Sequence, residues 1–365
     1  MSDPRDAQYA RLLIETCIDV QPGWQVLVVS NVLGRPLFDE VCKVVAERGA
    51  YALPRLVFES GLGGPPLAWL TEASDELLSK PAPLEEHMLL NIDALVAIVA
   101  PENTRDAADV EPRRMQLVQT GSEKIQERLM SGDVPWVGCQ YPTPALAQDA
   151  GMSLGHFSEF LYGSVLLDWD AERKRMEKIK ELFDRAEEVR IVAAGTDLRI
   201  GLAGREGKID AAGANIPGGE VFYSPVEDTA QGEIVFSEFP AVYTGRELTS
   251  IRFRFEGGRI VDAGAGSNED FLLEVLDTDE GSRRLGELGI GCNPGITRYM
   301  KNTLFDEKMN GTIHLAIGRS FPEIGGKNIS AIHWDIVKDV REGGRIELDG
   351  EVVQENGRWK HDLAA

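Results

Sequence analysis

The chain has 365 residues, 43% of them hydrophobic and 27% charged, with a formal net charge of −22. That length suits two domains better than one core, and the acidic balance excludes nucleic acid and an anionic membrane surface as partners, because no basic stripe exists to displace counterions. No apolar run approaches the roughly 18–20 residues that a bilayer crossing needs, and MSDPRDAQYARLL at the N-terminus lacks the basic-then-apolar order of a secretory signal.

In chain order, the first half predicts α/β structure. Residues 10–20 have apolar residues at helical spacing, and WQVLVVSN (24–31) is a short Val-rich run that reads as a buried strand. Residues 35–50 predict an amphipathic helix with Gly49 at its C′ position. Strands follow at 51–58 and 92–100. Alternation of strands and helices favours a parallel sheet with flanking helices. Residues 168–189 predict a long charged helix, read as the connection between domains. Beyond it the pattern becomes short alternating runs with hairpin signals at EGGR and LDGE, and one clear helix at 268–278. The expected division is an α/β domain over 1–188 and a mainly β domain over 189–365. Four scattered cysteines (Cys17, Cys42, Cys139, Cys292) without CxxC spacing read as reduced thiols of a cytoplasmic protein.

Two familiar motifs do not carry chemistry here. GMSLG (151–155) matches G-x-S-x-G, but the preceding TPALAQDA reads as helix, not strand, so Ser153 is expected to cap a helix. The strand at 24–31 enters a helix without G-x-G-x-x-G, and SGLGGPP (60–66) follows the wrong strand, so dinucleotide binding has no support. His87 and His156 sit on predicted helices as structural or solvated residues, and His361 lies in the tail.

The other two histidines are placed differently. In GTIHLAIG (311–318), Ile313, Leu315 and Ile317 share one strand face, while His314 shares the other with Thr312 and Ala316. In SAIHWDIV (330–337), Ile332, Trp334 and Ile336 face one way, and His333 and Asp335 the other. Read alone, these are either half-buried core histidines or two sides of a polar cavity. Glu220, in NIPGGEVFYSP, and Glu287, in LGELGIGCNPG, are carboxylates among Gly, Leu and Ile that offer no solvated face. A buried carboxylate must be paired or bound to a cation. Two Glu, two His and one Asp are a donor set that suits two divalent ions sharing a bridging carboxylate.

At these residues the chain resembles the aminopeptidase T / aminopeptidase S / PepS family of metallo-aminopeptidases, the thermophilic leucyl aminopeptidase type. The matching stretches are GGEVFYSP, LGELGIGCNPGITRYMKNTLFDEKMNGTIHLAIG and GGKNISAIHWDIV, with ARLLIETCIDVQPGWQVLVVS and YPTPALAQDAGMSL in the first half. The resemblance implies a two-domain homodimer acting on peptide substrates. It implies Glu220, Glu287, His314, His333 and Asp335 as ligands of two divalent ions per chain (zinc, cobalt or manganese), a metal-activated water, and a preference for Leu or another apolar N-terminal residue. The family carries a tyrosine seven residues after its first metal histidine, where this chain has Phe321. A phenol can donate a hydrogen bond and a benzyl ring cannot, so Tyr299 in ITRYM is the candidate substitute; no general base is identified. The alternative is a mononuclear iron(II) ring-cleaving dioxygenase of the dihydroxypyridine type, a related branch, using His314, His333 and Asp335 as a two-His-one-carboxylate triad.

Overall fold

The structure, a computed structural model, describes residues 3–58 and 64–360. His361 and positions 60–63 of the glycine-rich stretch lie outside the described residues. Two units are distinguished: Met1–Leu166 with Ala212–Ile216, and Leu167–Ala211 with Pro217–Ala365. Among the described residues, no helix is long and apolar enough to cross a membrane.

The first unit is built on a parallel sheet, as the alternation of elements predicts. Strand β1 (Gln25–Asn31) lies between β2 (Tyr51–Val57) and β3 (Ala94–Val99), followed by β4 (Trp136–Gln140) and the short strand Asn215–Ile216. Six of the seven β1 residues are buried, because helices cover both faces of a parallel sheet. Helix α1 (Arg35–Glu47) turns Leu37, Phe38, Val41, Val44 and Val45 inward, and Gly49 ends it at φ +74°. The helix expected at 10–20 starts earlier, as an α-helix over Asp6–Arg11 that widens to a π-helix over Leu12–Cys17. Ser153 Oγ accepts the His156 N–H at 3.3 Å and caps the helix Leu154–Val165. His156 and His87 are both exposed on helices.

The second unit begins earlier than residue 189. Helix α2 (Trp169–Asp184) looks like a solvated connector because it is so charged, yet Trp169, Met176, Ile179 and Phe183 form a buried stripe. Phe183 stacks on Tyr223 at 5.8 Å, and the Tyr223 hydroxyl donates to Asp184 Oδ1 at 2.9 Å. These contacts make α2 part of the second unit and move the division from 188 to 166.

Two antiparallel sheets dominate this unit. An eight-stranded sheet includes the hairpins Ile251–Glu256/Arg259–Gly264 and Arg345–Leu348/Glu351–Glu355. Their turns take positive φ at Gly257 and Gly258, and at Asp349 and Gly350, as the EGGR and LDGE signals predict. The five-stranded sheet carries the candidate site. Its strands are β5 (Lys208–Asp210), β6 (Glu220–Tyr223), β7 (Leu285–Gly291), β8 (Thr312–Gly318) and β9 (His333–Asp339), in the order β9-β8-β7-β6-β5. All seven residues of β7 and of β8 are buried. Trp334 and Ile336 are buried on one face of β9, with Trp334 stacked on Tyr243 at 4.9 Å.

Candidate metal centre

Directly paired residues on antiparallel strands project from the same face. Phe222, Gly289, His314 and Val337 form one such row across β6 to β9. The next row holds Glu287, Ala316 and Asp335, with a bulge at Gly286 that shifts Glu287 into it. Glu220 lies two residues from Phe222 on β6, and His333 two from Asp335 on β9. The five residues singled out in the sequence are thus brought to one face of one sheet.

Their side chains converge in two groups that share Glu287. Within each group, one ligand atom per residue lies within 4.8 Å of the others: Glu220, Glu287 and His314 in one, Glu287, His333 and Asp335 in the other. Glu287 Oε1 is 3.3 Å from His314 Nε2, and Glu287 Oε2 is 3.2 Å from His333 Nε2. Glu220 Oε2 stands 3.4 Å from His314 Nε2, and Asp335 Oδ1 3.5 Å from His333 Nε2.

Two observations test whether these residues suit metal ions. First, His314 Nδ1 is 3.0 Å from the Glu307 carbonyl and His333 Nδ1 is 2.8 Å from the Arg319 carbonyl. Each Nδ1–H donates to backbone, which leaves the Nε2 lone pair pointing into the cluster, as a metal-ligating imidazole requires. Second, Asp335 Oδ1 is buried, and its approach to His333 Nε2, at 3.5 Å, is too long for a good hydrogen bond. A buried carboxylate oxygen without a well-placed donor costs stability unless a cation meets it. The residues fit.

The electrostatics of the ion-free cluster are those of carboxylates using imidazolium as the available cation. Burial pushes His314 and His333 down, but the hydrogen bonds and charges of Glu287 and Asp335, with Glu220 acting on His314, outweigh it and raise them to about 10 and about 11. Burial raises Glu287, and its hydrogen bonds to the two histidines reverse this and hold it well below the usual range.

The sequence reading missed two neighbours. Lys308 is fully buried, with Nζ 3.0 Å from Glu220 Oε1 and a hydrogen bond to the Glu307 carboxylate. Burial raises the Glu307 carboxyl, Lys308 opposes it, and the charges of Glu220 and Asp335 add to the rise. The available signal was a Glu–Lys pair within LFDEKM, between residues of a buried helical turn and strand.

Tyr299 does not join the cluster with its hydroxyl, which donates to the Pro240 carbonyl while the ring stacks on Phe239 at 4.7 Å. Tyr299 and Asp335 do line one small cavity. Phe321 stands beside His333, with ring centroids 5.1 Å apart. The two-His-one-carboxylate triad of the dioxygenase reading is not isolated, because Glu287 lies between its two histidines and Glu220 lies against His314.

Comparison with known proteins places these observations in context. The sequence model of the thermophilic metalloprotease family (M29) matches residues 3–359. Aminopeptidase 2 of Geobacillus stearothermophilus is 26% identical, with 98% of each chain aligned. The solved structure of wild-type AmpT from Thermus thermophilus superposes with a TM-score of 0.83 over 98% of this chain and 99% of its own, at 23% identity. The 2,5-dihydroxypyridine dioxygenase of Pseudomonas putida KT2440 covers 100% of both chains at a TM-score of 0.63 and 15% identity, a likeness of fold.

Proposed function

The chain belongs to the thermophilic metalloprotease family M29, and from that premise we propose that it removes the first residue of peptides at a two-ion centre. It is a metallo-aminopeptidase, in keeping with its aminopeptidase relatives. Glu220, Glu287 and His314 would hold one ion, and Glu287, His333 and Asp335 the other. The observation that carries this reading is the division of Glu287, whose two oxygens address two different histidines. Zinc, cobalt and manganese all suit this N/O donor set.

When bound, such a pair of ions lowers the pKa of a water and polarises the scissile carbonyl. The chain's own groups do the rest. Lys308 holds Glu220 Oε1 and so directs Oε2 toward His314. Glu307, whose carboxylate accepts from Lys308 beside Glu220, would be the group that takes a proton from the attacking water and passes it to the amine of the departing peptide. Its raised pKa keeps it near the operating range of such a shuttle. The resemblance also supports a cytoplasmic homodimer, to be checked by light scattering.

Metal analysis of the purified chain tests the reading. Two ions per chain together with hydrolysis of L-leucine p-nitroanilide agree with it. One iron per chain with oxygen uptake on a dihydroxypyridine would replace it with the dioxygenase.

A further inference from the structure

We propose that the half-buried rings of Phe222 and Phe321 form the subsite for the side chain of the peptide's first residue, and that they set a preference for apolar residues there. The inference rests on the peptidase reading above.

Burial is graded across the centre. The His314 side chain is 1% exposed, Glu287 7%, Glu220 10%, Asp335 14% and His333, the most exposed of the five, 20%. The centre therefore opens on the His333 side, where substrate must arrive. Phe321 stands at that opening, its ring tilted 54° against the His333 imidazole. Phe222 meets Phe321 edge-on, with centroids 5.5 Å apart. On β6 it shares a face with Glu220 and lies in register with Gly289 and then His314. Phe321 thus stands beside His333, and Phe222 lies in the same row as His314, with only Gly289 between them.

Neither ring has a hydrogen-bonding group, so what they offer a ligand is apolar area and ring edges. The position of Phe321 is fixed by its backbone. Its N–H donates to the buried Ser224 Oγ at 3.0 Å, and its carbonyl accepts the Gly326 N–H at 3.0 Å. The loop beyond is tied down by Glu227, which accepts from the Lys327 N–H at 2.7 Å and from Arg205 at 2.8 Å. A wall held in this way discriminates by shape.

A second aromatic pair, Phe239 and Tyr299, flanks Asp335, but the cavity it borders has a volume of about 20 Å³. That is room for about one water, too little for a leucine side chain.

The test uses the metal-loaded full chain and the ratio of kcat/KM for L-leucine p-nitroanilide over L-alanine p-nitroanilide. Phe321→Ala and Phe222→Ala should each lower this ratio about tenfold or more, the scale of a lost apolar pocket contact. Phe321→Leu, which keeps apolar volume, should hold it within about threefold of the parent. A defect in folding or metal loading lowers both rates together and leaves the ratio unchanged. An unchanged ratio in both alanine variants overturns the proposal, as does a parent enzyme without preference for leucine. A ratio that collapses with Phe239→Ala instead places the subsite on the other wall and also overturns it. In each of those cases the parent still cleaves anilides. A parent that binds two ions and cleaves neither anilide overturns the peptidase reading itself, and this subsite with it.

Discussion

The ring of His314 lies directly over Gly289: a Cβ added to that glycine would stand 2.0 Å from His314 Nε2. The missing side chain is what lets an imidazole on β8 reach across β7 toward both glutamates. Gly289→Ala should displace the ring and weaken metal binding by about 10- to 100-fold, the range seen when the support of a ligand is disturbed. Calorimetric titration of the ion-free chain with zinc checks this. Parent-like affinity would mean that the close approach has no role in the site.

Because Glu287 belongs to both groups, single substitutions should differ in metal count. Glu220→Gln and Asp335→Asn should each retain about one ion per chain after dialysis, and Glu287→Gln close to none. All three should lose anilide hydrolysis by a factor on the order of 10³. Elemental analysis reads the counts. Equal loss of metal in all three would contradict a shared carboxylate.

The ion-free centre should respond to pH in a defined direction. His314 and His333 are raised from 6.5 to about 10 and about 11, so their contribution to stability is full below about 6.5 and is lost as pH rises toward those values. Glu287 is depressed, so its contribution is present above its ordinary 4.5 and is lost only as pH falls through the lowered value. The ion-free chain should therefore lose Tm between pH 7 and pH 10. The gain in Tm from saturating zinc should widen over the same interval, because fewer protons have to be displaced. Loading at pH 7 in weak buffer should release protons, measurable by titration. A gain that shrinks as pH rises would contradict imidazolium in the ion-free state.

Lys308 is a buried ammonium between two carboxylates. Lys308→Met should destabilise the ion-free chain by about 3–5 kcal/mol, the cost of leaving buried charges without their partner. Saturating zinc should recover part of that loss, since a cation again faces Glu220. Urea denaturation with and without zinc reads both quantities. No change in the ion-free chain would show that Lys308 is not the counter-charge.

Much of this arrangement is legible in the sequence because it is local. The alternation in TIHLAIG and IHWDIV is a two-residue period, which alone decides that His314, His333 and Asp335 face away from Ile313, Leu315, Ile317, Ile332, Trp334 and Ile336. Glu220 and Glu287 stand out because their neighbours offer no water. Ser153 reads correctly as a cap because the helix before it denies the strand that a nucleophile elbow needs. Charge, by contrast, misleads in both directions. Helix α2 reads as a connector because most of its residues are charged, although four of them bury a stripe against the second unit. Glu307 and Lys308 read as an ordinary polar turn, although Lys308 is fully buried against Glu220 and Glu307 is largely buried beside it.

The sequence by itself determined the element types, the face of each candidate ligand and the family resemblance, since these follow from spacing along one segment. Only the tertiary structure decided that four separate segments share one sheet, that Glu287 stands between the two histidines, that Gly289 must lack a side chain, and that Lys308 is buried. Those depend on strand register and on desolvation by residues distant in sequence, and neither is encoded in any single stretch of the chain.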